Sequence, residues 1–116
     1  MSKSKQAELI PGENAKAIVV RRASRGGDRY YWPTRLYIVL VPTDEKGDPV
    51  TPTRITDRLK HRRFELNSRA RRRCARMEAF LQSTAYAVNN KMLSWENAMG
   101  MIRDTWQFAR DGVNPN

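Results

Sequence analysis

Apolar residues in the first third of the chain follow the pattern of β-strands. Residues 17–20 form a run rich in β-branched side chains, and Arg25-Gly26-Gly27-Asp28 follows as a turn in which glycine can adopt positive φ angles. Residues 36–41 are then six consecutive apolar or aromatic residues without polar alternation, which predicts a strand covered on both faces. The pattern therefore begins with an antiparallel meander.

The segment that follows the strands allows more than one interpretation. After a polar break at 44–48, residues 49–55 predict a short edge strand, the position where prolines are tolerated. Within residues 54–67, Ile55 and Leu59 have helical spacing and favour a short helix, which we take as the prediction. Residues 62–66 fit an extended conformation equally well.

The last part of the chain has helical periodicity in two segments. A first helix is expected from Ser68 to residues 89–91, with an apolar stripe formed by Ala70, Cys74, Met77, Leu81 and Val88. Ser94 is the expected N-cap of a second helix, which carries Glu96 in its first turn and ends near Gly112. The stripe of this second helix comprises Trp95, Met99, Ile102 and Trp106.

These elements predict an α+β fold in a single domain. The expected architecture is a small antiparallel β-meander of about three strands followed by two or three helices, one of them long and Arg-rich. A chain of 116 residues can form one sizeable hydrophobic core. We place the domain at residues 14–112, with flexible polar tails at 1–13 and 113–116.

The charge of the chain indicates that the domain favours polyanionic partners. The formal net charge is +10, and residues 54–76 contain ten basic residues against Asp57 and Glu65. Nine of the ten are arginines, whose planar guanidinium group can bind a phosphate through two hydrogen bonds. The residues of this segment that we expect to bind nucleic acid are Arg54, Arg58, Lys60, Arg62, Arg63, Arg69, Arg72, Arg73 and Arg76.

Four of these arginines, Arg69, Arg72, Arg73 and Arg76, have the spacing of a ridge on the first helix. The ridge would lie about a third of a turn from the apolar stripe, so one face can pack while its neighbour follows a phosphate backbone. The alternative is a solvated helix face on which the arginine side chains lie along their own aliphatic stems.

The expected hairpin carries a second basic group, Arg21, Arg22, Arg25, Arg29 and Arg35. Tyr30, Tyr31 and Trp32 lie among these residues and are candidates for stacking on unpaired bases. The alternative is that the aromatic side chains pack on neighbouring strands or against a helix.

The second helix has two apolar residues, Met101 and Phe108, opposite its main stripe. They indicate either a helix buried on two sides or a surface that meets a protein partner or a second copy of the chain.

Residues typical of catalysis or metal binding are sparse. His61 is the only histidine and lies within the basic segment, and Cys74 lies on an apolar stripe where a structural thiol is expected. The acidic residues at 44–48 lack the ligand spacing of a calcium loop. We therefore expect no enzymatic activity, cofactor or metal, although a magnesium nuclease built from Asp28, Asp44, Asp48 and Asp57 stays an alternative.

The sequence favours a small basic DNA-binding protein, accessory or regulatory, that holds the phosphate backbone through its Arg-rich helix. The rival interpretations are an RNA-binding protein with a stacking hairpin and an adaptor that docks an acidic protein. Residues 36–41 are too few to span a bilayer, and a single cysteine suits a reducing compartment. We accordingly expect no membrane partner and a cytoplasmic location, at the nucleoid if the partner is DNA.

Overall fold

A computed structural model describes residues 8–23, 34–66 and 71–111, with Ala23, Leu66, Arg71 and residues 106–111 described by their backbone alone. Within these residues lie three strands, β1 (Ala15–Ala23), β2 (Thr34–Pro42) and β3 (His61–Leu66), followed by two helices, α1 (Arg71–Asn89) and α2 (Trp95–Asp111). The predicted α+β meander with a long Arg-rich helix is thereby confirmed. In the part of the chain that the structure describes, neither helix is long and apolar enough to cross a membrane.

The sheet has strand order β1-β2-β3 with both pairs antiparallel, so β2 is the central strand. Because side chains alternate between the two faces of a strand, one face of the sheet carries Ala17, Leu36, Ile38 and Phe64. All four are buried and belong to the main hydrophobic core, to which α1 contributes Leu81. The helices therefore cover this face.

The opposite face of β2 is also covered, as the apolar run at 36–41 predicts. Val39 and Val41 lie on that face and are fully buried, although they are not part of the core beneath the helices. Arg22 projects from the same face of β1, and its guanidinium donates a hydrogen bond to the carbonyl oxygen of Pro52 at 3.2 Å. The connection between β2 and β3 therefore passes over the second face of the sheet.

Two predictions for this connection are wrong. Residues 49–55 do not form an edge strand, since their only ladder contact is an isolated bridge between Pro49 and Thr43. Residues 54–67 contain no helix in their described part, 54–66, and residues 61–66 form β3 instead. Prolines 49 and 52 cannot donate ladder hydrogen bonds, whereas β3 pairs with β2 in a register that brings Phe64 opposite Leu36 and into the core.

The predicted apolar stripe of α1 faces the core. Cys74, Met77, Leu81 and Val88 are all buried, while Ala70 lies outside the described residues. The helix ends in a Schellman motif, in which the Met92 and Lys91 N–H groups bond to the Ala87 and Val88 carbonyls at 2.9 and 3.1 Å. Lys91 has a φ of 59° in this motif, the left-handed position that usually holds glycine.

Ser94 caps α2 as the sequence predicts. Its Oγ accepts a hydrogen bond from the Asn97 N–H at 3.1 Å, which satisfies one of the free donors of the first turn. Ile102 and Trp95 are buried in the core, and Met99 packs against it in part. The side chain of Trp106 lies outside the described part of the chain.

Residues 8–13, which the sequence analysis places in a tail, make contacts with the domain. Leu9 packs against the core, and Lys91 Nζ lies 2.6 Å from Glu13 Oε2. Gly12 has a φ of 85°, and a Cβ atom there would lie 2.8 Å from the carbonyl oxygen of Asn89. Glycine is therefore required where this segment crosses the end of α1.

Candidate nucleic-acid interface

The start of α1 presents a cluster of exposed arginines. Arg72, Arg73 and Arg76 are all exposed, and the first turn of the helix contains no acidic residue. We call Arg72, Arg73 and Arg76 the α1 cluster. Its members lie on the outward side of a helix whose opposite side is buried through Cys74 and Met77.

The α1 cluster places positive charges where they are electrostatically unfavourable unless an anion is bound. The N-terminal end of a helix carries the positive pole of the helix dipole, which favours carboxylates or bound anions and disfavours cations. Within the described residues no member of the cluster forms an ion pair. The positive pole of the helix dipole and the arginine charges therefore repel each other at the start of α1. A bound anion would reduce this repulsion.

Contacts between α1 and β1 place this cluster at one end of the sheet. Asn89, at the end of α1, contacts Ala17 near the start of β1, and Glu78 contacts Arg21 near the end of β1. The helix therefore runs antiparallel to β1. Its first turn lies at the end of the sheet where β1 ends and β2 begins.

Arg21 and Arg22 lie near this end of the sheet but on opposite faces. Arg21 is on the helix side, where its Nη1 lies 3.3 Å from Glu78 Oε1. Arg22 is on the other side, held by the Pro52 carbonyl. Both side chains are exposed, and exposed ion pairs of this kind contribute about 0–1 kcal/mol, so Arg21 can exchange Glu78 for another anion at little cost.

The fold divides the basic segment at 54–76 among several surfaces. Arg54 and Arg58 are exposed in the β2–β3 connection, and neither pairs with an acidic group among the described residues. Arg63 Nη2 lies 3.9 Å from Glu65 Oε1, a carboxylate that also has Arg35 Nε at 3.6 Å. Arg63, Arg35 and Arg22 lie on the same face of the sheet. Arg22 and Arg35 are Cα partners in the ladder, and Arg63 pairs with Tyr37, which lies two residues from Arg35 on β2.

Two basic residues of the segment remain, Lys60 just before β3 and Arg62 within it. Both face α2 rather than the α1 cluster. Lys60 Nζ is 3.7 Å from Glu96 Oε2, and the Arg62 guanidinium lies 5.9 Å from the centroid of the Phe64 ring. Arg103 of α2, together with Lys60 and Arg62, lines an open groove between β3 and α2. Arg103 is not among the binding residues predicted from the sequence, because nothing in the local pattern indicates that α2 lies beside β3.

Several predicted site residues cannot be placed. Of the predicted partner residues on α2, Met101 is exposed and Phe108 has a side chain outside the described part. Of the candidate binding residues named from the sequence, those that lie outside the described ranges altogether are Arg25, Arg29, Tyr30, Tyr31, Trp32 and Arg69.

The residues that the sequence offers as candidates for catalysis or metal binding have structural roles. His61 is half-buried, its Nδ1 donates to the Leu59 carbonyl at 2.8 Å, and its ring centroid is 6.1 Å from that of Tyr37. Cys74 is buried in the core. Asp44 Oδ1 accepts the N–H groups of Lys46 and Asp48, each at 2.9 Å, and so closes a turn. Across 8–23, 34–66 and 71–111, no three His, Cys, Asp or Glu side chains converge as metal ligands would.

Comparison with protein-family models, curated proteins and solved structures finds no match to this chain.

Proposed function

We propose that this protein binds nucleic acid, duplex DNA in preference to RNA, by holding the phosphate backbone with the α1 cluster. The observation that carries the proposal is the set of three exposed arginines at the positive end of α1, which form no ion pair within the part of the chain that the structure describes. Phosphates near a helix N-terminus interact favourably with both the helix dipole and the guanidinium groups. The same arrangement without an anion costs helix stability.

The position of the cluster also supports a polyanion over a single small anion. Arg72 and Arg76 are one turn apart, a rise of about 6 Å along the helix, and both face outward. Arg21 lies near the same end of the sheet and is only weakly held by Glu78. A linear array of phosphates can contact more of these groups at once than a single phosphate can.

Duplex DNA is favoured because contacts from an exposed helix to a continuous phosphate track need no unpaired bases. Such contacts position a protein on the duplex without reading its sequence. The proposal therefore describes an accessory or regulatory DNA-binding protein without enzymatic activity. Competition at matched salt among duplex DNA, single-stranded DNA and structured RNA tests this preference, and tighter RNA binding would reassign the partner.

A pair of charge-matched double variants tests the interface. Arg72→Gln/Arg76→Gln removes two charges from the α1 cluster, whereas Lys16→Gln/Lys46→Gln removes two charges from the opposite end of the sheet. Because each neutralised phosphate contributes roughly 0.9 to the salt slope for duplex DNA, the first variant should reduce the magnitude of the log–log slope by about 1.8. The control should change it little.

The measurement is DNA affinity by fluorescence anisotropy at several salt concentrations, with circular dichroism to confirm folding. Loss of affinity should be similar for unrelated DNA sequences. Equal effects of the two variants would show that net charge, rather than the α1 cluster, determines binding. Unchanged affinity in a folded Arg72→Gln/Arg76→Gln variant would refute the proposal.

A further inference from the structure

An open groove with basic walls lies between β3 and α2, away from the α1 cluster. Lys60 and Arg62 line one wall, Arg103 of α2 lines the other, and Trp95 and Met99 contribute apolar surface. The groove has a volume of about 410 Å³, within the range of roughly 300–1,000 Å³ that is typical of small-molecule sites. The combination of cations with apolar surface suits a ligand that has an anionic end and a less polar body.

The cations of the groove are held only by weak contacts and are available to such a ligand. Arg103 Nε lies 3.7 Å from Asp104 Oδ1, but both side chains are more than half exposed, so this pair is weak. Arg62 is positioned by its contact with the Phe64 ring and makes no ion pair among the described residues. Lys60 pairs with Glu96 at 3.7 Å, but both side chains are more than half exposed, so the pair is weak. Three cations and Glu96 leave the lining with a net positive charge.

Gly100 provides a second, independent indication of a ligand. It lies within α2 and lines the groove, and a Cβ atom built there would have no neighbour within 4 Å. Glycine within a helix lowers stability relative to alanine, and no packing contact in the described structure requires it here. A glycine at such a position allows close approach of a ligand to the helix backbone.

We infer that this groove binds a nucleoside phosphate. The phosphate lies between Arg62 and Arg103, where guanidinium groups can donate paired hydrogen bonds. The base lies against Met99 and the partly exposed backbone at Gly100. This inference does not depend on the proposed DNA contact of the α1 cluster, because the two sites share no residue.

Titration with adenosine 5′-monophosphate tests the site. Binding is measured by calorimetry and by the NMR shifts of the Gly100 amide and the Trp95 indole N–H. Adenosine and inorganic phosphate should each bind at least about tenfold more weakly, since each lacks one of the two recognised parts. Arg103→Gln should weaken binding about tenfold through loss of a charge-assisted hydrogen bond. Displacement of the nucleotide by a duplex with an unpaired end, but not by a blunt duplex, would identify a strand terminus as the source of the ligand. If neither duplex displaces the nucleotide, the ligand is a free nucleotide.

Gly100→Ala gives the sharpest test because its effects on stability and binding have opposite signs. It should raise the melting temperature by about 3–6 °C and weaken nucleotide binding about tenfold or more. Thr105→Ala, an exposed position on the same helix but outside the groove, should leave binding unchanged. The inference fails if the wild-type protein shows no saturable shifts at Gly100 and Trp95, if Gly100→Ala binds as tightly as wild type, or if inorganic phosphate binds as well as the nucleotide.

Discussion

Asn89, the last residue of α1, pairs its side-chain amide with the backbone of Ala17 on the edge strand β1. Its Oδ1 accepts the Ala17 N–H at 2.7 Å, and its Nδ2 donates to the Ala17 carbonyl at 3.0 Å. The amide therefore bonds to both outward-facing groups of Ala17 in the way a neighbouring strand would. This pair of bonds ties the end of the helix to the start of the sheet.

Asn89→Ala should lower the free energy of unfolding by about 2 kcal/mol, because two hydrogen bonds are lost and the Ala17 backbone groups lose their partner. Asn90→Ala is the matched control. Asn90 is exposed, and among the described residues its side chain bonds only to the carbonyl of Tyr86 in the preceding helix, so its loss should cost about 0.5 kcal/mol or less. Urea denaturation of both variants measures the difference, and equal costs would show that the Asn89 pair contributes nothing specific.

Gly12→Ala should destabilise the protein more than Gly47→Ala. Both glycines have a φ of 85°, where a side chain costs about 1–2 kcal/mol. Only Gly12 would also bring its Cβ to 2.8 Å from the Asn89 carbonyl oxygen, whereas Gly47 has open space. The difference in unfolding free energy between the two variants isolates this contact, and a smaller cost at Gly12 than at Gly47 would show that residues 8–13 do not lie against α1 in solution.

The elements whose apolar residues follow a clear period could be predicted from the sequence. The unbroken run at 36–41 predicts the central strand, with Val39 and Val41 buried on the second face. The spacing of Cys74, Met77, Leu81 and Val88 predicts α1, and Ser94 predicts the start of α2. In each case burial of a regular pattern determines both the element and its orientation.

The sequence favours a short helix over the strand β3, which it leaves as an alternative, because a charged residue occupies a position on the core side of the strand. Arg62 lies on the same face of β3 as the buried Phe64, and the ring contact holds its guanidinium at the margin of the core. The alternation of the strand is therefore concealed. The candidate site could be predicted only in part for a related reason: a count of arginines along residues 54–76 cannot show that Arg63 and Arg62 lie on opposite faces of the sheet.

The arginines of the first turn should reduce stability in the absence of nucleic acid. Arg72→Glu places a carboxylate at the positive end of the α1 dipole and should raise the free energy of unfolding by about 0.5–1 kcal/mol at low salt. Ser83→Glu, an exposed mid-helix change on the same outward side, should have little effect. High salt should shrink the gain through screening, and DNA affinity should fall in Arg72→Glu. A loss of stability in this variant would show that Arg72 has a structural partner.

The hairpin aromatics distinguish duplex binding from recognition of unpaired bases. If Tyr31 and Trp32 stack on bases, Tyr31→Ala and Trp32→Ala should each weaken binding to single strands or RNA by roughly 1–3 kcal/mol, with duplex affinity nearly unchanged. Since we propose a duplex held through its phosphates, we expect these variants to keep their duplex affinity and Arg22→Gln to weaken it. Binding of all three variants to a hairpin RNA, a single strand and a duplex of matched length, at one salt concentration, provides the comparison. Selective loss of RNA or single-strand binding in the aromatic variants, together with tighter wild-type binding to RNA than to the duplex, would make unpaired RNA the partner. Loss of folding in Tyr31→Ala or Trp32→Ala would instead place that ring in the core of the protein, and the arginine variants alone would then define the interface.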